Sequence, residues 1–166
     1  VLPSVIELSR LSMYVVGKLK LLRALANALQ AAEYDTILID TPGAVCAELT
    51  ASLIASDTLL VPVTPSRWTA RALRLLWGEV ANAMELGAEV HSFIIPTMFG
   101  NSKADTAVLE AIGRSEITHL PAIPKNPAVQ NRTEAGQRLQ PGTVAADAFN
   151  SLANRLLEVW SHAPVS

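Results

Sequence analysis

The amino-acid sequence predicts an α/β fold, a mostly parallel sheet flanked by helices. Two observations carry this. The runs at residues 36–40 and 58–63 are continuously apolar at their centres rather than alternating, as in parallel strands buried on both faces. Stretches with helical periodicity separate the apolar runs, as the crossovers of right-handed βαβ units require. The charged fraction is 17%, below the ~25% usual for soluble domains, which fits a sheet covered on both sides.

In chain order, residues 4–15 read as a helix broken from the next at Gly17. Residues 18–32 place Leu22, Leu25 and Leu29 on one stripe, with Lys18, Lys20 and Arg23 elsewhere. The strand-type run at 36–40 follows, then a short Ala-rich helix over 45–56 and the strand 58–63. A long helix over 66–86 ends at Gly87, a residue suited to the C-cap. Residues 90–96, holding Phe93, Ile94 and Ile95, form the third strand, and residues 103–113 the next helix. A weaker strand-type run covers 117–120, with Ile123 just beyond. The last helix, 144–160, carries Phe149, Leu152, Ala153, Leu156, Leu157 and Trp160 at helical spacing. Residues 36–40, 58–63 and 90–96 are expected to be neighbouring parallel strands. Phe149, Leu152, Leu156 and Trp160 are expected to be buried.

The length of 166 residues, with half of them hydrophobic, is that of one domain with a sizeable core, here residues 1–166. A net charge of −2 provides no global basic field for nucleic acid, and the single Cys46 excludes an internal disulfide. His91, His119 and His162 lack metal-ligand spacing. No Gly-x-Ser-x-Gly elbow is present. No apolar run approaches the ~20 residues of a membrane span, and no signal peptide is visible, so a cytoplasmic location is expected.

The most informative segment is Tyr34-Asp35-Thr36-Ile37-Leu38-Ile39-Asp40-Thr41-Pro42-Gly43. An apolar run leads directly into Asp40, and in open α/β sheets ligands bind beyond the strand ends. A carboxylate there can hold a Mg²⁺-bound water beside nucleotide phosphates. Pro42 and Gly43 make a turn whose amides can face a γ-phosphate. The competing reading is that Asp40 caps the helix starting near residue 45.

This segment resembles the Walker B strand of the ParA/MinD (Soj-like) family of deviant-Walker P-loop ATPases. There Tyr-Asp, an apolar run and Asp-Thr-Pro-Pro stand in the same order, with Gly43 here in place of the second Pro. "KLKLLRALANALQAAEYD", "LIASDTLLVPVTPSRWTARAL", "FIIPTMFGNSKAD" and "LPAIPKNPAVQNRTEAGQRLQ" resemble the family's following elements in order, so the resemblance covers roughly residues 1–160. It implies a P-loop NTPase (SIMIBI/ParA-like) architecture in which ATP and Mg²⁺ are bound. It assigns Asp40 to catalysis and to Mg²⁺ through water, and Thr41, Pro42 and Gly43 to the adjacent switch. It also sets the loop of Pro124 and Asn126 against the adenine base. Asn126 reads equally well as a turn residue before Pro127. Thr97 and Asn101, after a strand end, are candidates for a base-edge contact or for a surface loop.

The family's phosphate-binding loop, Lys-Gly-Gly-x-Gly-Lys-Thr, is absent from these residues. Gly17-Lys18 lacks a Gly-rich approach and reads as a helix junction. The resemblance therefore implies N-terminal strands upstream of Val1. The 166 residues alone are not expected to hydrolyse ATP, because the amides that cradle phosphates are missing. In function the resemblance implies partitioning of plasmid, chromosome or other cargo. The implied machinery is an ATP-dependent homodimer, non-specific DNA binding (hence a nucleoid-associated location) and a ParB-like stimulating partner. Lys103, Arg114, Arg132 and Arg138 are candidates for a DNA-facing patch, but the interleaved acids favour scattered solvated charges. Trp68 and Trp77 read as packing or interface residues. The last helix has Arg155 as its only basic residue, opposed by Glu158, unlike a membrane-surface helix. Partition-type ParA is therefore favoured over a MinD-like positioning ATPase, and no membrane partner is expected. A non-catalytic interaction module without a P-loop is the alternative. A GTPase-like switch is the weakest reading, since Asp40-Thr41-Pro42-Gly43 fits Asp-x-x-Gly but no Asn-Lys-x-Asp motif occurs.

Overall fold

The computed structural model describes residues 19–114 and 116–162. The helix expected at 4–15 and the Gly17-Lys18 junction lie outside the described residues. The elements are α1 (Leu19–Gln30), α2 (Ala47–Ile54), β1 (Thr58–Val63), α3 (Thr69–Glu85), β2 (His91–Phe99), α4 (Lys103–Gly113), β3 (Ile123–Pro124), α5 (Pro127–Glu134) and α6 (Val144–His162). The strands form one sheet in the order β1-β2-β3. His91 N donates to Asp57 O at 2.9 Å and Thr97 Oγ1 to Val63 O at 3.2 Å, the same offset at both ends, so β1 and β2 run parallel. β2 and β3 also pair parallel. The fold is thus a parallel sheet flanked by helices, as the continuous apolar strands require.

The chain divides into two compact units, residues 1–59 with 70–91, and residues 60–69 with 92–166. In the first, Leu49 and Leu53 of α2 pack with Val80 and Ala83 of α3 and with Ala88. Leu59, Leu76, Trp77 and Val90 close around them, so Trp77 is a packing residue. The α3 helix ends as its sequence predicts. Gly87 takes φ +95°, and Ala88 N reaches back to Ala83 O at 3.0 Å. Arg23 of α1 donates to the Leu86 carbonyl at 2.8 Å, a cation at a helix C-terminus.

In the second unit, Phe93 and Ile95 of β2 pack with Leu120, Ile123 and Leu156. Leu60, Ala148, Leu152, Val159 and Trp160 surround this cluster. The docked stripe of α6 is therefore Ala148, Leu152, Leu156, Val159 and Trp160. Phe149, expected to be buried, is 40% exposed. The stripe is rotated toward Ala145 and Ala146, whose small side chains allow close approach at the start of the helix. The weak run at 117–124 lies along β2 as an isolated Ile94–His119 bridge followed by the two-residue β3. Pro96 and Pro121 have no N–H to donate, and the pairing lapses between those two contacts.

One expectation fails. Residues 36–40 belong to no strand. Tyr34 is 77% exposed and Leu38 82%. A strand exists only where a neighbouring backbone takes up its N–H and C=O groups. Among the described residues no segment does so, and the apolar run that reads as a buried central strand stands uncovered.

Candidate functional site

Because the three strands are parallel, Val63, Phe99 and Pro124 end at one edge of the sheet, the edge outside which ligands bind in open α/β folds. The chain turns there into helices. Thr69 Oγ1 donates to Thr64 O at 2.7 Å at the start of α3. Ser102 caps α4 and Asn126 caps α5. The edge therefore presents helix N-termini, whose free N–H groups and dipoles favour anions.

Thr97 and Asn126 both have structural work here. The Thr97 hydroxyl bridges to β1 through Val63 O. Asn126 Oδ1 accepts the Ala128 N–H at 2.9 Å, with Pro127 at the first helical position, so Asn126 is an N-cap rather than a plain turn residue. Its amide nitrogen is not used by the cap. Pro124 is the last residue of β3, and Lys125 N donates to Phe99 O at 3.1 Å, so the two strand ends are joined. Asn101 is exposed in the β2–α4 loop.

That loop is organised by Asp105. Its Oδ2 accepts from Gly100 N at 2.9 Å and Ser102 N at 3.4 Å, while Ser102 Oγ accepts from Asp105 N at 3.1 Å, a reciprocal capping box. The Ser102 side chain above all, helped by the Gly100 and Ser102 amides and the charge of Lys125, holds the Asp105 carboxyl below the usual carboxylate range against the opposing effect of desolvation. A carboxylate depressed in the folded state contributes stability above its unfolded pKa of ~3.9, and that stability is lost as pH falls through the lower folded value. Asp105→Asn is therefore expected to melt below wild type at pH 7, with the gap narrowing below pH ~4. Thermal melts at both pH values check this. A gap of the same size at both would assign the effect to geometry and not to charge.

Asp40, Thr41, Pro42 and Gly43 belong to the first unit, Thr97, Pro124 and Asn126 to the second. Asp40 and Gly43 are exposed in the irregular segment before α2, with Gly43 at a bend, and a Cβ at Gly43 would meet nothing within 4 Å. The reading of Asp40 as a helix cap does not hold, because α2 starts at Ala47 with Cys46 at its N-cap. Asp40 is left with a carboxylate that caps no helix. Mg²⁺ fits such a group, because it is commonly held by one or two carboxylates, waters and substrate phosphates rather than by a protein cage. Among the described residues no three His, Cys, Asp or Glu cluster as a closed metal site.

Sequence reasoning missed Met98. Thr97 pairs with Ile123 and Phe99 with Pro124, so two steps on β2 face one on β3, and Met98 is the extra residue. It takes φ +59°, the one positive φ outside glycine among the described residues. No sequence signal marks it, since left-handed positions favour Gly, Asn and Asp.

The AAA_31 family of AAA domains matches residues 1–90, more than half of the chain and inclusive of Asp40 to Gly43. The chain belongs to the ParA/MinD-like family of P-loop ATPases. No curated protein sequence matches it closely enough to count as a relative. Solved structures share the ParA/MinD-like fold. A plasmid partition protein from Borrelia burgdorferi bound to AMPPNP superposes with a TM-score of 0.80 at 20% identity, over 95% of this chain and 64% of that one. An ATP complex of McdA from Cyanothece gives 0.78 at 19% identity, over 96% and 65%. The cell division ATPase MinD of Pyrococcus furiosus gives 0.66 at 20% identity, over 83% and 59%. The chain thus spans less than two thirds of each of these structures. Of the basic residues considered for a DNA-facing patch, Arg114 pairs with Glu110 at 3.3 Å and Arg132 donates to Arg138 O at 3.1 Å. Trp68 is exposed, with the Arg67 guanidinium 4.9 Å from its ring centre. No helix among the described residues is long and apolar enough to cross a membrane.

Proposed function

We propose that the intact protein is a ParA-like ATPase that positions plasmid, chromosomal or other cargo through an ATP-dependent homodimer that binds DNA without sequence preference. The observation that carries this is the family match over residues 1–90, which contains the Asp40-Thr41-Pro42-Gly43 sequence in the order of a Walker B segment and switch. The phosphate cradle that the resemblance expects upstream of Val1 would supply most of the ground-state phosphate contacts. Mg²⁺, when bound, would neutralise charge on the phosphates. Asp40 would orient water of its shell, and Thr41, Pro42 and Gly43 would register the γ-phosphate. By the same resemblance, Thr97, Pro124 and Asn126 would line the base. A ParB-like partner would stimulate turnover, with the protein nucleoid-associated in the cytoplasm.

Partition-type action is favoured over MinD-like membrane cycling because the basic residue of α6, Arg155, is paired with Glu158 at 2.8 Å. The test is sedimentation of the intact protein with ATP or ADP, with and without duplex DNA. ATP should yield a dimer that binds DNA, and raising salt from 50 to 200 mM should weaken that binding steeply. An ATP-insensitive species without affinity for DNA would instead identify a non-catalytic interaction module.

A further inference from the structure

We propose that the outward face of α3, around Arg71, Arg74, Leu75 and Gly78, is a docking site for an acidic amphipathic helix of a partner protein. α3 packs into the core through Val80 and Ala83, with Leu76 and Trp77 against the same cluster. At helical spacing Arg71, Arg74, Leu75 and Gly78 fall on the opposite side, and all four are exposed. Gly78 stands in mid-helix without a positive φ, where alanine is the more stable residue. A Cβ there would meet nothing within 4 Å, so no packing among the described residues calls for a glycine. Arg71 stands in the first turn, which holds no acidic residue, at the end of the helix where the backbone dipole disfavours a cation. Among the described residues the ion pairs are Arg114–Glu110 and Arg155–Glu158, and neither Arg71 nor Arg74 is engaged. The acids of α3, Glu79 and Glu85, lie toward its C-terminal end, and Glu79 accepts from Thr50 Oγ1 and from Asn82 Nδ2 at 3.3 Å. A glycine kept inside a helix without an internal reason points to a contact from outside.

Charge and shape select the occupant. Arg71 and Arg74 are one turn apart, which sets their Cβ atoms about 5–6 Å from each other, the spacing of carboxylates one turn apart on a facing helix. A guanidinium binds a carboxylate through parallel N–H···O bonds, so each arginine has a matching acid in such a partner. Beyond them Gly78 takes a side chain out of the contact line and lets a second backbone come close, while Leu75 supplies apolar area beside it. Duplex DNA would also attract the arginines, but a phosphate backbone has no use for Leu75 or for the bare backbone at Gly78. An acidic helix uses all four residues.

The test is fluorescence anisotropy, without nucleotide, of two labelled alanine-rich helical peptides. One carries a pair of glutamates one turn apart and a leucine a turn further on; the other has lysines in place of the glutamates. They are titrated with the intact wild type, the double variant Arg71→Glu with Arg74→Glu, and Gly78→Leu. Wild type should bind the glutamate peptide at least roughly tenfold more tightly than the lysine peptide, and the double charge reversal should invert that preference. Gly78→Leu should melt higher than wild type, because leucine is the better helix former, yet bind the glutamate peptide roughly tenfold more weakly. A merely structural glycine would not move stability and binding in opposite directions. No preference in wild type, or unchanged affinity for the glutamate peptide in either variant, would overturn the proposal. Duplex DNA affinity that falls as far as peptide affinity on charge reversal would assign the face to nucleic acid and overturn it too. So would a wild-type dimer in sedimentation that Gly78→Leu dissolves, which would assign the face to a second copy. Because no nucleotide is present, each of these outcomes leaves the ATP reading standing.

Discussion

Asp40→Ala in the intact protein is expected to lower ATP turnover by about two orders of magnitude or more while leaving ATP affinity nearly unchanged. The argument is a division of labour. Backbone amides and a lysine of a phosphate loop hold the ground state, whereas a carboxylate acting through the Mg²⁺ shell and the attacking water does most in the transition state. An interaction made mainly in the transition state lowers kcat and spares binding. Stability offers a second readout. Had Asp40 capped α2, its loss would cost ~1 kcal/mol. The N-cap is Cys46, and Asp40 is exposed, so the melting temperature should barely move. Single-turnover hydrolysis, ATP binding and melting of the two proteins measure all three. Normal turnover in the variant would remove Asp40 from the mechanism.

The second large effect is on stability. Leu156→Ala should destabilise the protein by ~2–5 kcal/mol, because it empties a site buried among Phe93, Ile95, Leu120 and Ile123. Leu157→Ala, one residue on, should change stability by less than ~0.5 kcal/mol, since Leu157 faces solvent. Denaturant unfolding of both variants gives the comparison. Similar losses in the two would mean that α6 docks through a different face. The same face bears on membrane binding, because a helix that buries Leu152 and Leu156 against the sheet cannot also lay them in a bilayer.

What could be read in advance follows from where the information resides. The strand at 58–63 declares itself because burial on both faces demands continuous apolar residues, a property of the segment itself, and the run read at 90–96 gave the strand that extends over His91–Phe99. The end of α3 is equally local, since Gly87 alone supplies its left-handed turn. Residues 36–40 carry the same apolar signature, yet pairing depends on a partner backbone that the segment cannot encode. Phe149 satisfies the helical spacing, but the exact face that docks is decided by which neighbours leave room. At the candidate site, Asn126 is legible as a residue before Pro127, while its capping bond requires the helix behind it. The bulge at Met98 arises from a register mismatch between two strands distant in sequence, Thr97 pairing with Ile123 and Phe99 with Pro124, and no local pattern announces it.

The most direct test of the account is calorimetric titration of the intact protein with ATP in the presence of Mg²⁺. Saturable binding of one ATP per chain, competed by AMPPNP, is predicted. A chain that is folded by its melting curve but takes up no ATP would contradict the assignment of this protein as a nucleotide-driven positioning ATPase.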